Sequence, residues 1–339
     1  MTLRMAVIEW PGMQISYSRY IHNPPIVWLD TNIVNDITDA IYSNDRLNPD
    51  VKQRFRDLHD LLQKKVNEGK IVCPFLGQRS EYIDGKVADK SDDILLNLNR
   101  GFQISGWQLD QVHIKRMMKL FLASESEFSF SDRDLTYYER NEEESDSPIQ
   151  VIFLRERSER LRRNKLYEDL KRRKQEVKNL DFTTVYRQEY LGRLQALKIS
   201  VTKVCELYGR FTTNFTEGES YYYHLYPYIA WKELKGIDEV HITDLKSFFE
   251  SEHFNSLPID RISSTIVTHL LTEGKDVKYT DIADLQHLPL ILPYASYILT
   301  ENRMAHIISA HKLDTEFGTK VFRWNETEKF LSDLEQQLP

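Results

Sequence analysis

Polar and acidic residues follow two short apolar runs in this chain. Ile26-Val27-Trp28-Leu29 leads into Asp30-Thr31-Asn32, and Tyr297-Ile298-Leu299 leads into Thr300-Glu301-Asn302. Short apolar runs that contain β-branched residues are typical of buried strands. In open α/β sheets, ligands tend to bind at the carboxyl ends of the strands. Both run ends are therefore candidates for a ligand site.

Two more carboxylates stand shortly before the second run. Asp281 and Asp284 are three positions apart, a spacing that puts both side chains on one face of a helix. Carboxylate oxygens are the ligands that hard divalent cations prefer in proteins. The two strand ends and this helix therefore predict a hard-cation site, if the fold brings Asp30 close to residues 281–301.

The composition fits a folded chain of about two domains. It has 339 residues, of which 41% are apolar, enough for a sizeable core. The formal charge of −7 means that any surface for nucleic acid must be local. No apolar stretch approaches the ~18 residues of a membrane span, and the beginning of the chain resembles neither a signal nor a transit peptide. Cys73 and Cys205 have no partners at metal-ligand spacing. We therefore expect a cytoplasmic protein.

The first part of the chain has the pattern of a parallel α/β sheet. One helix is predicted from about Ile33, and another over 50–68, where apolar residues recur at helical spacing and Gly69 ends the helix. Residues 70–73 are predicted as the next strand, followed by a short helix over about 76–83. This alternation of strand and helix favours a parallel sheet.

The same pattern returns near the end of the chain. A helix with Asp281 and Asp284, a strand at 297–299 and a helix at 303–311 are predicted, then a strand at 319–322 and a helix at 325–337. The segments that follow from this are an N-terminal extension (1–25), the first half of an α/β domain (26–86), a mainly α-helical insertion (87–277) and the second half of the domain (278–339).

Two features of the predicted insertion have more than one interpretation. Residues 155–178 contain eleven Lys/Arg and five Asp/Glu, a net charge of +6 on one predicted helix. This helix could follow the phosphates of a nucleic acid, or it could be an ordinary solvated helix. The aromatic residues between Tyr221 and Trp231 could stack on bases, or they could belong to a core or a protein interface.

The motifs resemble those of the PIN nuclease domain, a compact α/β fold with metal-binding carboxylates at the carboxyl ends of its parallel strands. Leu29-Asp30-Thr31-Asn32 is similar to the family's opening motif, in which the first strand ends in a metal-binding Asp. Thr300-Glu301-Asn302 stands where the family has a Thr-x-Asp ending, and Asn302 is eighteen positions after Asp284. The resemblance implies an α/β fold, a PIN-like three-layer domain with a central parallel sheet, split by a mainly α-helical insertion.

The resemblance also implies which residues form the site. Asn302 replaces the family's fourth acid, and Glu301 is a candidate substitute. The expected residues are the catalytic and metal-binding acids (Asp30, Glu81 and Asp284), further metal ligands (Asp281 and Asn302) and supporting residues (Asn32, Thr300 and Glu301).

The function implied is that of a metal-dependent endonuclease, a hydrolase of phosphodiester bonds that uses Mg²⁺ or Mn²⁺. A bound cation of this kind lowers the pKa of its water and polarises the phosphate. RNA is favoured over DNA because the family leans that way, and a role as a toxin or defence effector rests on analogy alone. The insertion is expected to contact nucleic acid or a protein partner, and an oligomer is compatible with the sequence. The alternative is a catalytically inactive PIN-like scaffold, which the replacement by Asn302 supports.

Each acidic residue also has a purely structural explanation. Asp30 could cap the helix that follows it. Asp281 could cap its own helix, with Asp284 complementing the helix dipole. Glu81 could be a solvated helix residue, and Thr300-Glu301-Asn302 an ordinary strand-to-helix turn. The order of these residues on the predicted elements favours a metal site over a series of unrelated caps.

Overall fold

The computed structural model describes most of the chain, and the helices account for most of the described residues. The described residues are 15–19, 24–42, 47–76, 88–99, 103–104, 106–131, 135, 137–138, 149–208, 220–237, 240 and 242–338. Glu81 and nearly all of the helix predicted over 76–83 lie outside them.

In chain order, the described helices are α1 (Thr31–Tyr42), α2 (Pro49–Asn67), α3 (Ala88–Asn99), α4 (Gly106–Ala123), α5 (Ile149–Glu176), α6 (Phe182–Tyr208), α7 (Ser220–Lys235), α8 (Ile242–Phe249), α9 (Glu252–Asn255), α10 (Pro258–Thr272), α11 (Thr280–Ile291), α12 (Asn302–Ala310), α13 (Leu313–Phe317) and α14 (Thr327–Gln337). The strands are β1 (Ser16–Arg19), β2 (Val27–Leu29), β3 (Gln103–Ile104), β4 (Glu127–Phe130), β5 (Tyr137–Tyr138), β6 (Tyr297–Thr300) and β7 (Lys320–Arg323), and a 3₁₀ helix (Trp324–Glu326) precedes α14.

A parallel sheet joins the two ends of the chain. Its strands are arranged in the order β2-β6-β7, and both neighbouring pairs are parallel. Val72 adds a parallel bridge to Ile26 on the other side of β2. The strand predicted over 70–73 is therefore reduced to a single bridge, and Pro74, which has no backbone N–H, stands where pairing stops. The α/β character predicted from the sequence is confirmed.

The register of this sheet sets the position of the candidate site. Leu29 of β2 is the partner of Leu299 of β6. The backbone N–H of Asp30 donates to the carbonyl of Leu299 at 3.0 Å, so the pairing extends one residue past β2. Asp30 and Thr300 consequently lie at the same level, side by side at the carboxyl ends of adjacent strands.

The central strands are buried completely. Every residue of β2 and of β6 is buried. On one side, Leu29, Leu299 and Phe322 belong to a core that also includes apolar residues of α1, α2, α3 and α14. Parallel strands that read as continuous apolar runs are typical of sheets covered on both faces.

Helix α2 ends as the sequence predicts. Gly69 has a φ of +69°, and its N–H donates to the carbonyl of Val66, while the N–H of Lys70 donates to that of Lys65. This pair of bonds is a Schellman motif, which needs a left-handed residue where Gly69 stands. The motif ends α2 and leads the chain directly into the bridge at Val72.

The chain forms two compact units. The sheet unit consists of the described residues within Arg19–Gly106, Phe130–Arg172 and Val277–Pro339, and the helical unit of those within Met1–Ser18, Trp107–Ser129 and Arg173–Asp276. The sheet unit thus takes in segments 88–106 and 130–172, which lie in the insertion predicted from the sequence. Helix α5 belongs to the sheet unit up to Arg172.

The helical unit has an aromatic core. The rings of Phe121, Trp231, Phe248, Phe249 and Phe254 contact one another at centroid distances of 5.1–6.1 Å. Trp231, which the sequence offered as a base-stacking residue, is therefore a core residue. No helix in the described ranges is both long enough and apolar enough to cross a membrane.

Candidate metal centre

The first side of the candidate site is formed by the strand ends. Glu301 follows β6 directly and precedes α12, while Asp30 occupies the equivalent position between β2 and α1. The β2–β6 pairing brings these two residues together although 271 positions separate them in the sequence. Each residue lies between the end of a buried strand and the start of a helix.

Asp281 and Asp284 form the second side. Both lie near the start of α11 and are buried. The alternative explanation, in which Asp281 caps this helix, is wrong, because α11 begins at Thr280 and the cap position is Tyr279. Asp281 instead lies inside the first turn, where its Oδ2 accepts a bond of 2.7 Å from the backbone N–H of Lys278.

These elements bring three carboxylates together. Asp281, Asp284 and Glu301 each offer an oxygen, and the three oxygens lie within 4.8 Å of one another. One oxygen of the Glu301 carboxylate, Oε1, is buried and has no hydrogen-bond partner within the described structure. The group contains two of the predicted metal ligands, Asp281 and Asp284. Its third member, Glu301, is predicted only as a supporting residue, and the predicted ligand Asp30 is not among the three.

Asp30 lies beside this group as a hydrogen-bond acceptor. Its Oδ2 accepts a bond of 2.6 Å from Thr300 Oγ1 and one of 3.3 Å from the backbone N–H of Glu301. Its Oδ1 accepts a bond of 3.1 Å from the N–H of Asn32, in the first turn of α1. Asp30 thus caps α1, as the structural explanation predicts, and also links the ends of β2 and β6.

A buried arginine partly balances this negative charge. Arg303 Nη1 donates to Asp281 Oδ2 at 2.7 Å, and both side chains are buried. The pKa of Glu301 is nevertheless raised above its usual value, first because the side chain is partly removed from water and next because Asp30 is nearby. Lys278 and Arg303 act in the opposite direction. The net result is a site that holds more negative charge than its two cations compensate.

The chemistry of these residues fits a hard divalent cation. All the candidate ligand atoms are carboxylate oxygens, which Mg²⁺, Mn²⁺ and Ca²⁺ prefer. Two oxygens bound to one ion can be no farther apart than twice the metal–oxygen distance, about 4.2 Å for Mg²⁺ and about 5 Å for Ca²⁺. The 4.8 Å limit of this group lies within about 1 Å of those values. Small side-chain movements would therefore bring the three oxygens close enough to bind one ion. Asp284 and Glu301 are the best placed ligands, because Asp281 also holds Arg303.

The remaining predicted residues are placed less favourably or lie elsewhere. Asn302 is the first residue of α12 and its side chain is exposed. Thr300 is fully buried and holds Asp30, whereas Asn32 takes part through its backbone N–H. Glu81 lies outside the described residues.

Sequence reasoning missed Arg303. Its position gives a weak signal, because a single cation stands next to the apolar residues Met304, Ile307 and Ile308, which α12 buries. A charged residue at the start of an apolar helix face needs a partner when it is buried. That rule predicts a partner for Arg303 without identifying Asp281.

A second pair of acidic residues lies in the helical unit. Burial raises the pKa of Asp110 to about 7, and the neighbouring Asp260 carboxylate adds to this effect. Arg193 Nε lies 3.4 Å from Asp260 Oδ1. Within the described ranges, one group of three acidic, His or Cys side chains is placed to hold an ion. It consists of Asp281, Asp284 and Glu301. The pair in the helical unit therefore does not compete with the site described above.

Comparison with known proteins finds no match, whether among protein-family models, curated proteins or solved structures.

Proposed function

We propose that this protein is a divalent-metal-dependent endonuclease whose sheet unit is a PIN-like domain. The strand order and direction support the proposed fold: three strands are parallel, two of them are followed by an acidic residue of the site, and Val72 adds a parallel bridge. Helices contribute to the core on one face of this sheet, and both central strands are buried. In the proposed fold, helices would cover both faces of the sheet and give three layers.

The close approach of Asp281, Asp284 and Glu301 carries the proposal. Three carboxylates within 4.8 Å of one another repel, and burial strengthens this repulsion because it removes screening water. A divalent cation would relieve the repulsion. Asp284 and Glu301 would hold the ion directly, and Asp281, already held by Arg303, would complete or orient the site.

The residues around the ion would position it. Thr300 and the N–H of Glu301 fix the orientation of Asp30, which lies beside the group and would help to orient water at the bound ion. When bound, Mg²⁺ or Mn²⁺ would supply a water of lowered pKa and would stabilise negative charge on the phosphate. The exposed Asn302 has no assigned part in this site.

RNA is the substrate that we favour, because the resemblance to PIN nucleases leans towards RNA. A toxin or defence role rests on analogy alone, and we also propose that the protein acts in the cytoplasm. A protein partner or a second copy of the chain is compatible with this proposal, and neither is needed for the chemistry of the site.

One observation favours the alternative, a PIN-like scaffold without catalytic activity. Arg303 provides a permanent positive charge inside the acidic group, and such a charge reduces the need for a cation. A scaffold of this kind would bind nucleic acid or protein through the same unit but would leave phosphodiester bonds intact.

A cleavage assay separates the two candidates. Purified protein is incubated with end-labelled RNA and DNA in Mn²⁺, in Mg²⁺ and in EDTA. We expect cleavage that needs the metal and falls at least 100-fold in Asp284→Asn and in Asp30→Asn, because each variant removes a negative charge at the site.

The matched control is Glu335→Gln, which makes the corresponding change at an exposed position on α14. It should cleave as the unmodified protein does. Cleavage that persists equally in Asp284→Asn and Asp30→Asn would end the enzymatic assignment. Absence of cleavage under every condition would favour the scaffold.

A further inference from the structure

Helix α5 packs on the helix that carries Asp281 and Asp284. Within the sheet unit, Arg163 of α5 is buried, and its Nε donates to Oε1 of Gln286 on α11 at 3.2 Å. Four residues later, the ring of Tyr167 meets that of Tyr279 edge to face at 5.8 Å. Two separate contacts therefore fix the basic helix beside the acidic site.

The start of α11 also presents an exposed aromatic ring. The side chain of Tyr279 is 42% exposed, and the residue before it, Lys278, is exposed as well. Lys171 Nζ lies 5.0 Å from the centre of the Tyr167 ring, within cation–π range. We call Tyr167, Lys171, Lys278 and Tyr279 the tyrosine–lysine patch.

Helix α5 contributes positive charge beside this patch. Arg162 and Lys165 of α5 are both exposed, and neither makes an ion pair with a described residue. Lys171 and Arg172 form ion pairs with carboxylates of their own helix, Glu168 and Asp169, and both cations are exposed. Ion pairs at the surface are weak, so these cations can also contact an anionic ligand.

Lys278 connects the patch to the acidic group. Its backbone N–H donates to Asp281 at 2.7 Å, and its charge acts on Glu301. A strand of nucleic acid on the patch would therefore run past the carboxylates. Exposed rings beside cations are how proteins bind single strands, because rings stack on bases and cations neutralise phosphates.

We propose that the tyrosine–lysine patch binds single-stranded nucleic acid, with Tyr279 stacking on a base and Lys278 and Lys171 contacting phosphates. This inference rests on the proposed function, since it places the substrate of the same site. Arg162 and Lys165 would extend the phosphate contacts along α5.

The test measures binding separately from cleavage. Fluorescence anisotropy of a labelled 12-nucleotide single-stranded RNA is recorded in EDTA, where metal-dependent cleavage cannot occur. We expect Tyr279→Ala to weaken binding by about 5- to 150-fold, the effect of losing one base stacked on an aromatic ring, and Tyr279→Phe to retain binding. The logarithm of the binding constant falls as the logarithm of the salt concentration rises. In Lys278→Gln this slope should be shallower by about 0.7, the value for one lost phosphate contact.

The control is Tyr42→Ala, because Tyr42 is also 42% exposed, at the end of α1, and also lies beside a lysine, Lys90. It should bind RNA as the unmodified protein does. Equal binding by Tyr279→Ala and the unmodified protein, no binding by the unmodified protein, or equal affinity for duplex RNA or polyglutamate would each overturn the inference. Loss of cleavage in Asp284→Asn with intact RNA binding would support both proposals, and unchanged cleavage in that variant would contradict the nuclease alone.

Discussion

At the scale of single residues, Glu301 determines the charge balance of the site. It supplies the strand-end carboxylate of the three-acid group, and its Oε1 is buried without a hydrogen-bond partner in the described structure. Its backbone N–H meanwhile donates to Asp30. The same residue therefore brings one negative charge into the site and helps to hold another.

The raised pKa of Glu301 predicts how stability depends on pH. An acid with a raised pKa in the folded state contributes stability that is fully present below its unfolded pKa, about 4.3. That contribution is lost as the pH rises through the folded value. In EDTA, Glu301→Gln should therefore be more stable than the unmodified protein at pH 7, and the difference should shrink as the pH falls towards 4.

Urea unfolding at several pH values measures this difference. Glu335→Gln, on the exposed face of α14, should show no comparable gain. A Glu301→Gln variant that is less stable at pH 7 would mean that the carboxylate is already well compensated without a metal, which would count against the site.

Arg303 compensates the buried negative charge of Asp281. Removing one partner of a buried ion pair leaves the other charge uncompensated, and typical losses are about 3–5 kcal/mol. Arg303 therefore has a structural task that is independent of any cation. This explains how the acidic group can fold before a metal binds.

At the scale of elements, the ends of strands and helices position the site. The Schellman motif at Gly69 ends α2, and the chain then runs into the bridge between Val72 and Ile26, beside β2. Adding a Cβ at Gly69 would meet no atom within 4 Å. The cost of a substitution there is therefore one of backbone conformation alone.

Two glycine-to-alanine changes should have opposite effects. Gly69→Ala should destabilise the protein by about 1–2 kcal/mol, because the left-handed conformation is unfavourable for residues with a Cβ. Gly192→Ala, inside α6 and also without neighbours within 4 Å, should stabilise it by about 0.5–1 kcal/mol. Urea unfolding of both variants measures the two effects, and the same sign for both would contradict the assigned conformations.

The elements were predictable wherever the pattern in the sequence is local. Strands β2 and β6 and helices α2 and α12 lie within one or two residues of the predicted bounds, because apolar runs and helical spacing are local properties. The strand expected over 70–73 is only a bridge, since whether a short apolar run pairs depends on its neighbours. The Arg303–Asp281 pair depends on tertiary contacts, and no sequence pattern identifies it.

At the scale of the whole molecule, the candidate site belongs entirely to one unit. Asp30, Asp281, Asp284 and Glu301 all lie in the sheet unit, although long stretches of sequence separate Asp30 from the rest. The sequence could predict that its two ends fold together, because both carry the α/β pattern. It could not predict that segments 88–106 and 130–172 join them, since helical patterns do not specify which unit a helix packs in.

This division predicts that metal binding has a local effect. Saturating Mn²⁺ should slow hydrogen exchange at the start of α11 and around Glu301, by up to about 100-fold at a concentration 100 times the dissociation constant. Exchange in α6, which lies in the helical unit, should not change. Hydrogen–deuterium exchange with mass spectrometry measures this, and equal protection in both units would contradict a single site in the sheet unit.

The central claim is that Asp284 and Glu301 bind a divalent cation, and a calorimetric titration with Mn²⁺ tests it most directly. The unmodified protein and Glu335→Gln should each bind at least one Mn²⁺ per chain with a saturable isotherm. In the double variant Asp284→Asn/Glu301→Gln, binding should be at least 10-fold weaker, because two of the three clustered carboxylates are neutral. Equal Mn²⁺ affinity in the double variant and the unmodified protein, or no binding by either, would contradict the claim.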